Sequence, residues 1–258
     1  MASINDHRTQ LALLRRDPLK HAVILKYLLS TPGAVLHQIV RGTRSASLLL
    51  LDPRLTSYDR RAYPEATASV LLASDDPVLT RELMDRVPSG ERTFFRLPSE
   101  ADRAVVAERF ALERRNAFLS FTGAGSAGRE GDAIVGTDTA VAPYALFAEQ
   151  DHEEAWIAPM LQAGRAFTSI VRDAGEAVAA CFAYELDTAI WEVGGVYCLP
   201  AHRGRGHARR AVQAALTELA RRGLLSRYQV AEANTPSIRL ATSLGMTQFL
   251  TLTHYMSR

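Results

Sequence analysis

The sequence predicts an α/β protein of the α+β type, built as two mixed-sheet layers, and three observations carry that reading. Apolar, strand-like runs alternate with helix-like stretches from Ala46-Leu51 onward, an order that lays helices against a sheet. Gly123-Ala124-Gly125-Ser126-Ala127-Gly128 interrupts the alternation near mid-chain, and small residues without apolar partners make loose connecting chain. In the second half, an apolar run through Val196-Leu199 and Pro200 meets Arg203-Gly204-Arg205-Gly206-His207-Ala208 and then a long amphipathic segment. That is a strand, a glycine turn and a helix start.

With 258 residues, the chain exceeds the usual size of one domain. The expected division is a first domain over 1–125, a linker over 126–139 and a second domain over 140–258. Leu11, Leu14, Val23, Leu25, Leu28 and Leu29 form a rough helical stripe, broken at Asp17-Pro18 and stopped by Thr31-Pro32-Gly33. Ala46-Leu51 and Ala68-Ala73 read as strands, and Asp75-Asp76-Pro77 caps a helix to about Val87. Thr93-Leu97 is a further strand, and Pro98-Ser99-Glu100 opens a helix through Phe110.

The glycine segment at 123–128 matches G-x-G-x-x-G literally. A dinucleotide site also needs a helix directly behind it, and Arg129-Glu130-Gly131-Asp132 begins no helical apolar period. Linker is the better reading. Beyond it, Glu149-Leu161 reads as a helix with Pro159 near its end. Phe167-Arg172 and Val178-Leu186 form a hairpin about Asp173-Ala174-Gly175-Glu176. Ile190-Leu199 is the strand that delivers the chain to the glycine turn, and its Gly194-Gly195 pair marks a bulge or a close approach. The helix from Gly206 to Arg222 buries Ala208, Val212, Ala215, Leu216 and Leu219, and Gly223 suits its left-handed cap. Arg227-Glu232 is a strand, Asn234-Thr235-Pro236 starts a helix that Gly245 ends, and Thr247-Tyr255 is the last strand.

Gly204 and Gly206 leave no side chain between main-chain N–H groups and an approaching anion. A helix start adds unpartnered N–H groups and partial positive charge, so a diphosphate is the natural guest. Arg203, Arg205, Arg209 and Arg210 surround that mouth. The spacing Arg203-x-x-Gly206-x-Ala208 resembles the acyl-CoA signature of the GNAT superfamily of N-acetyltransferases. Asn234-x-x-Ser237, closing on Leu244-Gly245-Met246, resembles that superfamily's second motif. The resemblance covers about Val141 to Tyr255, and the first half, with the same strand and helix order but no such signature, is expected to be a degenerate GNAT-like domain or an unrelated cap.

The resemblance implies acetyl-CoA as co-substrate, with main-chain groups from Arg203, Gly204, Arg205, Gly206, His207 and Ala208 on the diphosphate. It implies Cys198 and Leu199 main-chain groups on the pantetheine amides and Asn234 and Ser237 near the pantetheine arm; on charge alone, Arg209 or Arg210 is placed to meet the ribose phosphate. Asn234 is equally well placed as a helix cap. Amine acetylation needs a neutral amine, and a carboxylate in a partly desolvated cleft takes an ammonium proton. Glu192, two residues before Gly194-Gly195, is the expected base, with Glu232 in reserve. Where many family members place a tyrosine as acid, this chain has Ala241.

The expected activity is transfer of an acetyl group from acetyl-CoA to a primary amine of a small molecule or peptide. The alternatives are an acyl-CoA-binding regulatory protein without turnover, and a two-domain interaction protein in which CoA is structural. A net charge of +2 with scattered arginines argues against nucleic acid and membrane surfaces as partners. No apolar run approaches the roughly 18 residues of a membrane span, and Met1-Arg8 has no apolar signal core. A soluble cytoplasmic protein is expected. Cys181 and Cys198 lie in apolar runs, His152-Glu153-Glu154 lacks a second zincin histidine, and no metal is expected.

Overall fold

A computed structural model of the protein describes residues 6–123 and 133–258. The first half runs α1 (His7–Leu14), α2 (Ala22–Ser30), β1 (Val35–Arg41), β2 (Arg44–Leu51), α3 (Ser57–Ala62), β3 (Ala68–Ser74), α4 (Pro77–Leu83), β4 (Thr93–Leu97), α5 (Glu100–Ala107) and β5 (Leu112–Thr122). The second half runs β6 (Ala133–Gly136), α6 (Tyr144–Ala148), α7 (Glu154–Gln162), β7 (Ala166–Asp173), β8 (Glu176–Asp187), β9 (Ile190–Cys198), α8 (His207–Arg221), β10 (Leu225–Ala231), α9 (Thr235–Ser243) and β11 (Thr247–Ser257). The chain divides into two compact units. One ends at Leu119 and takes back Leu250–Arg258; the other is Ser120–Phe249.

In the first unit, short polar side chains set the helix starts. Asp6, Thr56, Asp76 and Ser99 each accept a hydrogen bond from a first-turn N–H of α1, α3, α4 and α5, satisfying a donor that the helix itself leaves unpaired. Strands β1, β2 and β3 pair antiparallel, β3 pairs β4 in parallel, and β4 pairs antiparallel with β11. Both sheet faces are covered. Leu48, Val70 and Phe95 pack with Val105 and Val106 of α5, whereas Leu49 and Leu71 pack with Val23, Ile24 and Leu25 of α2. Covered faces explain the unbroken apolar run Leu48-Leu51, because alternate residues of the strand face opposite cores.

In the second unit, β6 to β9 pair antiparallel and β9 pairs β10 in parallel. Ala174 and Gly175 both have positive φ, as the two central residues of the tight β7–β8 turn require. Helix α8 buries Ala211, Val212, Ala215, Leu216 and Leu219, at about 1.5–3 kcal/mol for each large aliphatic side chain. The Ser169 hydroxyl donates to the Ala211 carbonyl at 2.8 Å, fixing α8 against β7. At its far end the Arg222 guanidinium lies 4.6 Å from the Phe167 ring centroid, and Gly223 takes the left-handed conformation expected of it.

The two halves of the sequence repeat one order, apart from α3 in the first and β6 in the second: two helices, three antiparallel strands, a crossover helix, a parallel strand, a helix and a strand. Several expectations are corrected. Strands β1 and β5 and helices α3 and α6 lacked a clear sequence pattern, and α7 begins at Glu154 rather than Glu149. Ala133–Gly136, assigned to the linker, pairs with β7 as an edge strand. The rest of the expected glycine linker up to 132 lies outside the described residues. Residues 250–258, placed by the sequence in the second domain, are counted in the first unit, where β11 hydrogen-bonds to β4.

Candidate active site

Helix α8 differs at its start from α4, α5 and α9. No side chain caps it, and its first turn holds no acidic residue, so its leading N–H groups have no internal acceptor. The chain enters through Gly204 (φ 77°) and Gly206 (φ 80°), conformations that cost a side-chain-bearing residue about 1–2 kcal/mol. A Cβ at either position would meet nothing within 4 Å. The glycines are therefore there for backbone shape and for open approach, not for packing. Arg203 donates from Nε to the Cys198 carbonyl at 3.1 Å and lies 5.7 Å from the Tyr197 ring centroid, pinning the turn to β9. Arg205 and Arg209 are exposed; Arg205 is 4.0 Å from Asp173 and Arg209 reaches the Ser243 carbonyl at 3.4 Å.

Beside this turn the parallel ladder opens. Pairing of β9 with β10 stops at Val193 and Tyr228, although β9 continues to Cys198 and β10 to Ala231. The β8–β9 register also shifts between Ala180 and Phe182, inserting an extra residue in β9 beside Gly195. Gly195 has φ 59°, and a Cβ there would lie 2.7 Å from Phe182 Cδ1 and closer still to Cε1. This is the bulge that the Gly194-Gly195 pair signals. The Leu199 N–H donates to the Val178 carbonyl at 2.9 Å, which corrects the expectation that it is free for a ligand. It also makes Cys198 and Ala179 a non-hydrogen-bonded pair, so the N–H and C=O of Cys198 face away from β8, on the side where β10 has departed.

One register pair before the opening, Glu192 and Arg227 stand side by side on β9 and β10, and Tyr184 stands opposite Glu192 on β8. Glu192 Oε1 accepts from the Tyr184 hydroxyl, and Oε2 accepts from Arg227 Nη1. Arg227 Nε donates to Ser120 Oγ at 3.2 Å. Arg227 is fully buried. Glu192 is thus an ion-paired, hydrogen-bonded carboxylate rather than the open one expected from the sequence. Protonating it would leave a buried guanidinium without its counter-charge, a change on the scale of about 3–5 kcal/mol.

The comparisons with known proteins agree with this geometry. The profile of the acetyltransferase (GNAT) family matches residues 131–246. That segment is a GNAT-family domain. Among solved structures, an acetyltransferase of the GNAT family from Colwellia psychrerythraea is 14% identical, with 100% of this chain and 99% of that one covered at a TM-score of 0.61. A GCN5-related N-acetyltransferase from Kribbella flavida is 18% identical over 93% and 94% of the two chains, at a TM-score of 0.58. A tandem GNAT protein from the clavulanic acid biosynthesis pathway is 15% identical over 92% and 87%, at 0.52. At these identities the likeness is one of fold. No curated protein matches the sequence.

The GNAT domain fits the anionic end of acetyl-CoA on its own geometry: an uncapped 15-residue helix, two positive-φ glycines with open space before them, and an edge of β9 beyond the reach of β10. Asn234 Oδ1 accepts from the Ser237 N–H at 3.2 Å and caps α9, while Ser237 Oγ lies 2.5 Å from the Tyr228 hydroxyl. Of the two groups expected near the pantetheine arm, Asn234 caps α9 and Ser237 ties α9 to β10. Burial raises the Tyr228 phenol to about 12, which keeps it protonated. Glu232 is exposed, just past the end of β10. Ala208 is half-buried in the first turn of α8, and Ala241 is fully buried in α9.

Asp173, His202 and His207 bring three possible metal-ligand atoms within 4.8 Å of one another. Arg210 lies 2.5 Å from His207 Nδ1. A guanidinium only donates, so neutral His207 carries its proton on Nε2 and is no ligand in this arrangement. Burial and the Arg210 charge both lower its pKa, which holds it neutral.

Sequence reasoning missed the Tyr184–Glu192–Arg227–Ser120 ladder and the rings beside it. Phe182 makes edge contacts with Phe147, His152 and Trp156, and Trp156 makes one with Tyr184. Trp156 is 43% exposed. An arginine amid the buried residues of a strand was the available signal for the ladder. The aromatic wall had none, because its members come from α6, the α6–α7 connection, α7 and β8.

Proposed function

We propose that this protein is an acetyl-CoA-dependent N-acyltransferase that acetylates a primary amine of a small molecule or peptide. The observation that supports it best is the conjunction of an uncapped helix start behind two positive-φ glycines with a parallel ladder that opens at Val193 and Tyr228. Acetyl-CoA held there supplies an activated thioester carbonyl for the amine to attack. The N–H groups at the start of α8 hold the diphosphate, and the Cys198 main chain, facing the opening, pairs with an amide of the pantetheine arm. Arg203 and Arg205 add charge at the mouth.

The acceptor enters over the exposed Trp156 ring, whose face favours a cationic or aromatic amine, with the buried Phe182 and Tyr184 packed beneath it. Glu192 holds Tyr184 and Arg227 in place. Glu232, at the exposed end of β10, receives the ammonium proton directly or through water. A thiolate is a good leaving group at neutral pH, so the alanine at 241 in place of a tyrosine is compatible with turnover. The experiment is a panel of amines incubated with acetyl-CoA while free thiol is read out. Release that depends on one class of amine supports the reading; none with any amine, alongside intact acetyl-CoA binding, favours the regulatory alternative.

A further inference from the structure

The two sides of the β9–β10 opening carry opposite charge. The turn into α8 has Arg203, Arg205, Arg209 and Arg210, whereas the segment 137–164 has five carboxylates, Asp138, Glu149, Asp151, Glu153 and Glu154, and no lysine or arginine. All five are exposed. Many of the other carboxylates in the fold hold a cation of their own, as Asp52 does Arg54, Asp76 does Arg44, Glu108 does Arg81 and Glu218 does Arg222. Among the described residues, no lysine or arginine pairs with Glu149, Glu153 or Glu154. The guanidiniums bordering the segment are engaged elsewhere: Arg165 pairs with Glu185 at 2.7 Å, and Arg203 donates to the Cys198 carbonyl.

Two contacts within the second unit bring this acidic segment to the opening. Tyr197, on the part of β9 that β10 no longer reaches, donates from its hydroxyl to Glu149 Oε2 at 3.3 Å. Trp156, in the first turn of α7 with Glu154, meets the Phe182 ring edge-on at 5.7 Å between centroids, and Phe182 is the ring that a Cβ at Gly195 would strike. The negative potential also reaches the start of α6, where burial first, and then the charges of Glu154 and Asp138, raise the Tyr144 phenol. An exposed indole beside unpaired carboxylates is a surface for a cation. That cation is not the reacting group, because an amine attacks a thioester only once it has lost its proton. A charge held here through the reaction belongs to a second group on the acceptor.

We propose that the acceptor is an amine bearing a second, non-reacting cationic group, held by Glu149, Glu153 and Glu154 beside Trp156. The inference rests on the acyltransferase reading and narrows it, since the same carboxylates repel an amine that carries a carboxylate or phosphate.

The test uses the full chain with acetyl-CoA and three amines of one chain length, 1,5-diaminopentane, 1-aminopentane and 5-aminopentanoate, with thiol release as readout. The diamine should exceed the monoamine in kcat/KM by at least about ten-fold, equivalent to about 1.4 kcal/mol, and 5-aminopentanoate should be the poorest. Comparing lysyl-glycinamide with norleucyl-glycinamide tells a peptide source from a free diamine; the charged member should be preferred in whichever source turns over. Glu149→Gln, Glu153→Gln and Glu154→Gln together should bring the diamine preference below about three-fold, with acetyl-CoA affinity unchanged by calorimetry. If no amine releases thiol, the acyltransferase reading itself fails and binding decides: the Trp156 indole N–H resonance, identified by its loss in Trp156→Phe, should shift saturably with the diamine at a concentration about ten-fold below that needed for the monoamine. Equal use or equal binding of diamine and monoamine, preference for 5-aminopentanoate, or a diamine preference that survives the triple substitution would each overturn the proposal.

Discussion

Replacing Gly195 by alanine tests the bulge on which the proposed site depends. At φ 59° any side chain carries left-handed strain of about 1–2 kcal/mol. The added Cβ would also lie 2.7 Å from Phe182 Cδ1, and Phe182 is buried against Phe147, His152 and Trp156. Relieving that overlap costs a further 1–3 kcal/mol, roughly, as overpacking of a filled core does. The expected loss is therefore about 2–5 kcal/mol. Gly204→Ala is the control, because it shares the positive φ (77°) but its Cβ would meet open space. It should lose only about 1–2 kcal/mol. Urea denaturation of the two variants measures the difference, and thiol release with an accepted amine measures its consequence. A shift of the β9 edge by about 1 Å is worth about a hundred-fold in turnover. If Gly195→Ala is as stable as Gly204→Ala and turns over normally, the bulge neither needs glycine nor positions the reaction.

Three further outcomes are expected. Arg227→Met alone should destabilise the fold by about 3–5 kcal/mol by stranding the buried Glu192, and adding Glu192→Gln should recover a measurable part of that loss in urea denaturation; purely additive losses would mean that the pair is not coupled. Glu232→Gln should lower turnover by roughly 10²–10⁴-fold near neutral pH with acetyl-CoA affinity unchanged, and the deficit should shrink as pH rises and more amine arrives neutral; full turnover throughout would remove Glu232 as proton acceptor. His254, pushed down to about 2 chiefly by burial, binds its proton in the unfolded chain long before it does so in the fold. Stability should therefore be constant in this respect above about pH 6.5 and fall below it, by about 2 kcal/mol at pH 5. Denaturation midpoints of His254→Gln should fall less steeply with acid, and an unchanged slope would contradict the assignment.

What the sequence made legible was backbone chemistry. Gly204 and Gly206 before an amphipathic stretch located the helix start, and Gly194-Gly195 located the bulge, because only a few conformations call for glycine there. Asp76 and Asn234 announced their helices for a similar local reason. Side-chain partnerships across strands were not legible. Glu192 looked like an open carboxylate because Arg227, 35 positions later, becomes its neighbour only when β9 and β10 align. Leu199 looked available because the pairing partner of its N–H, Val178, depends on the register of β8. Strand β5 escaped notice because Glu113, Arg114 and Arg115 interrupt its apolar pattern. Its Ser120 nonetheless reaches Arg227.

Calorimetric titration of the full chain with acetyl-CoA tests the central claim most directly, when the unmodified protein is compared with Gly206→Glu. The account predicts one site per chain, and it predicts that a carboxylate at Gly206, where a Cβ would meet open space before the α8 N–H groups, abolishes binding while the circular dichroism spectrum is kept. Unchanged affinity in a folded Gly206→Glu variant, or two sites per chain in the unmodified protein, would contradict it.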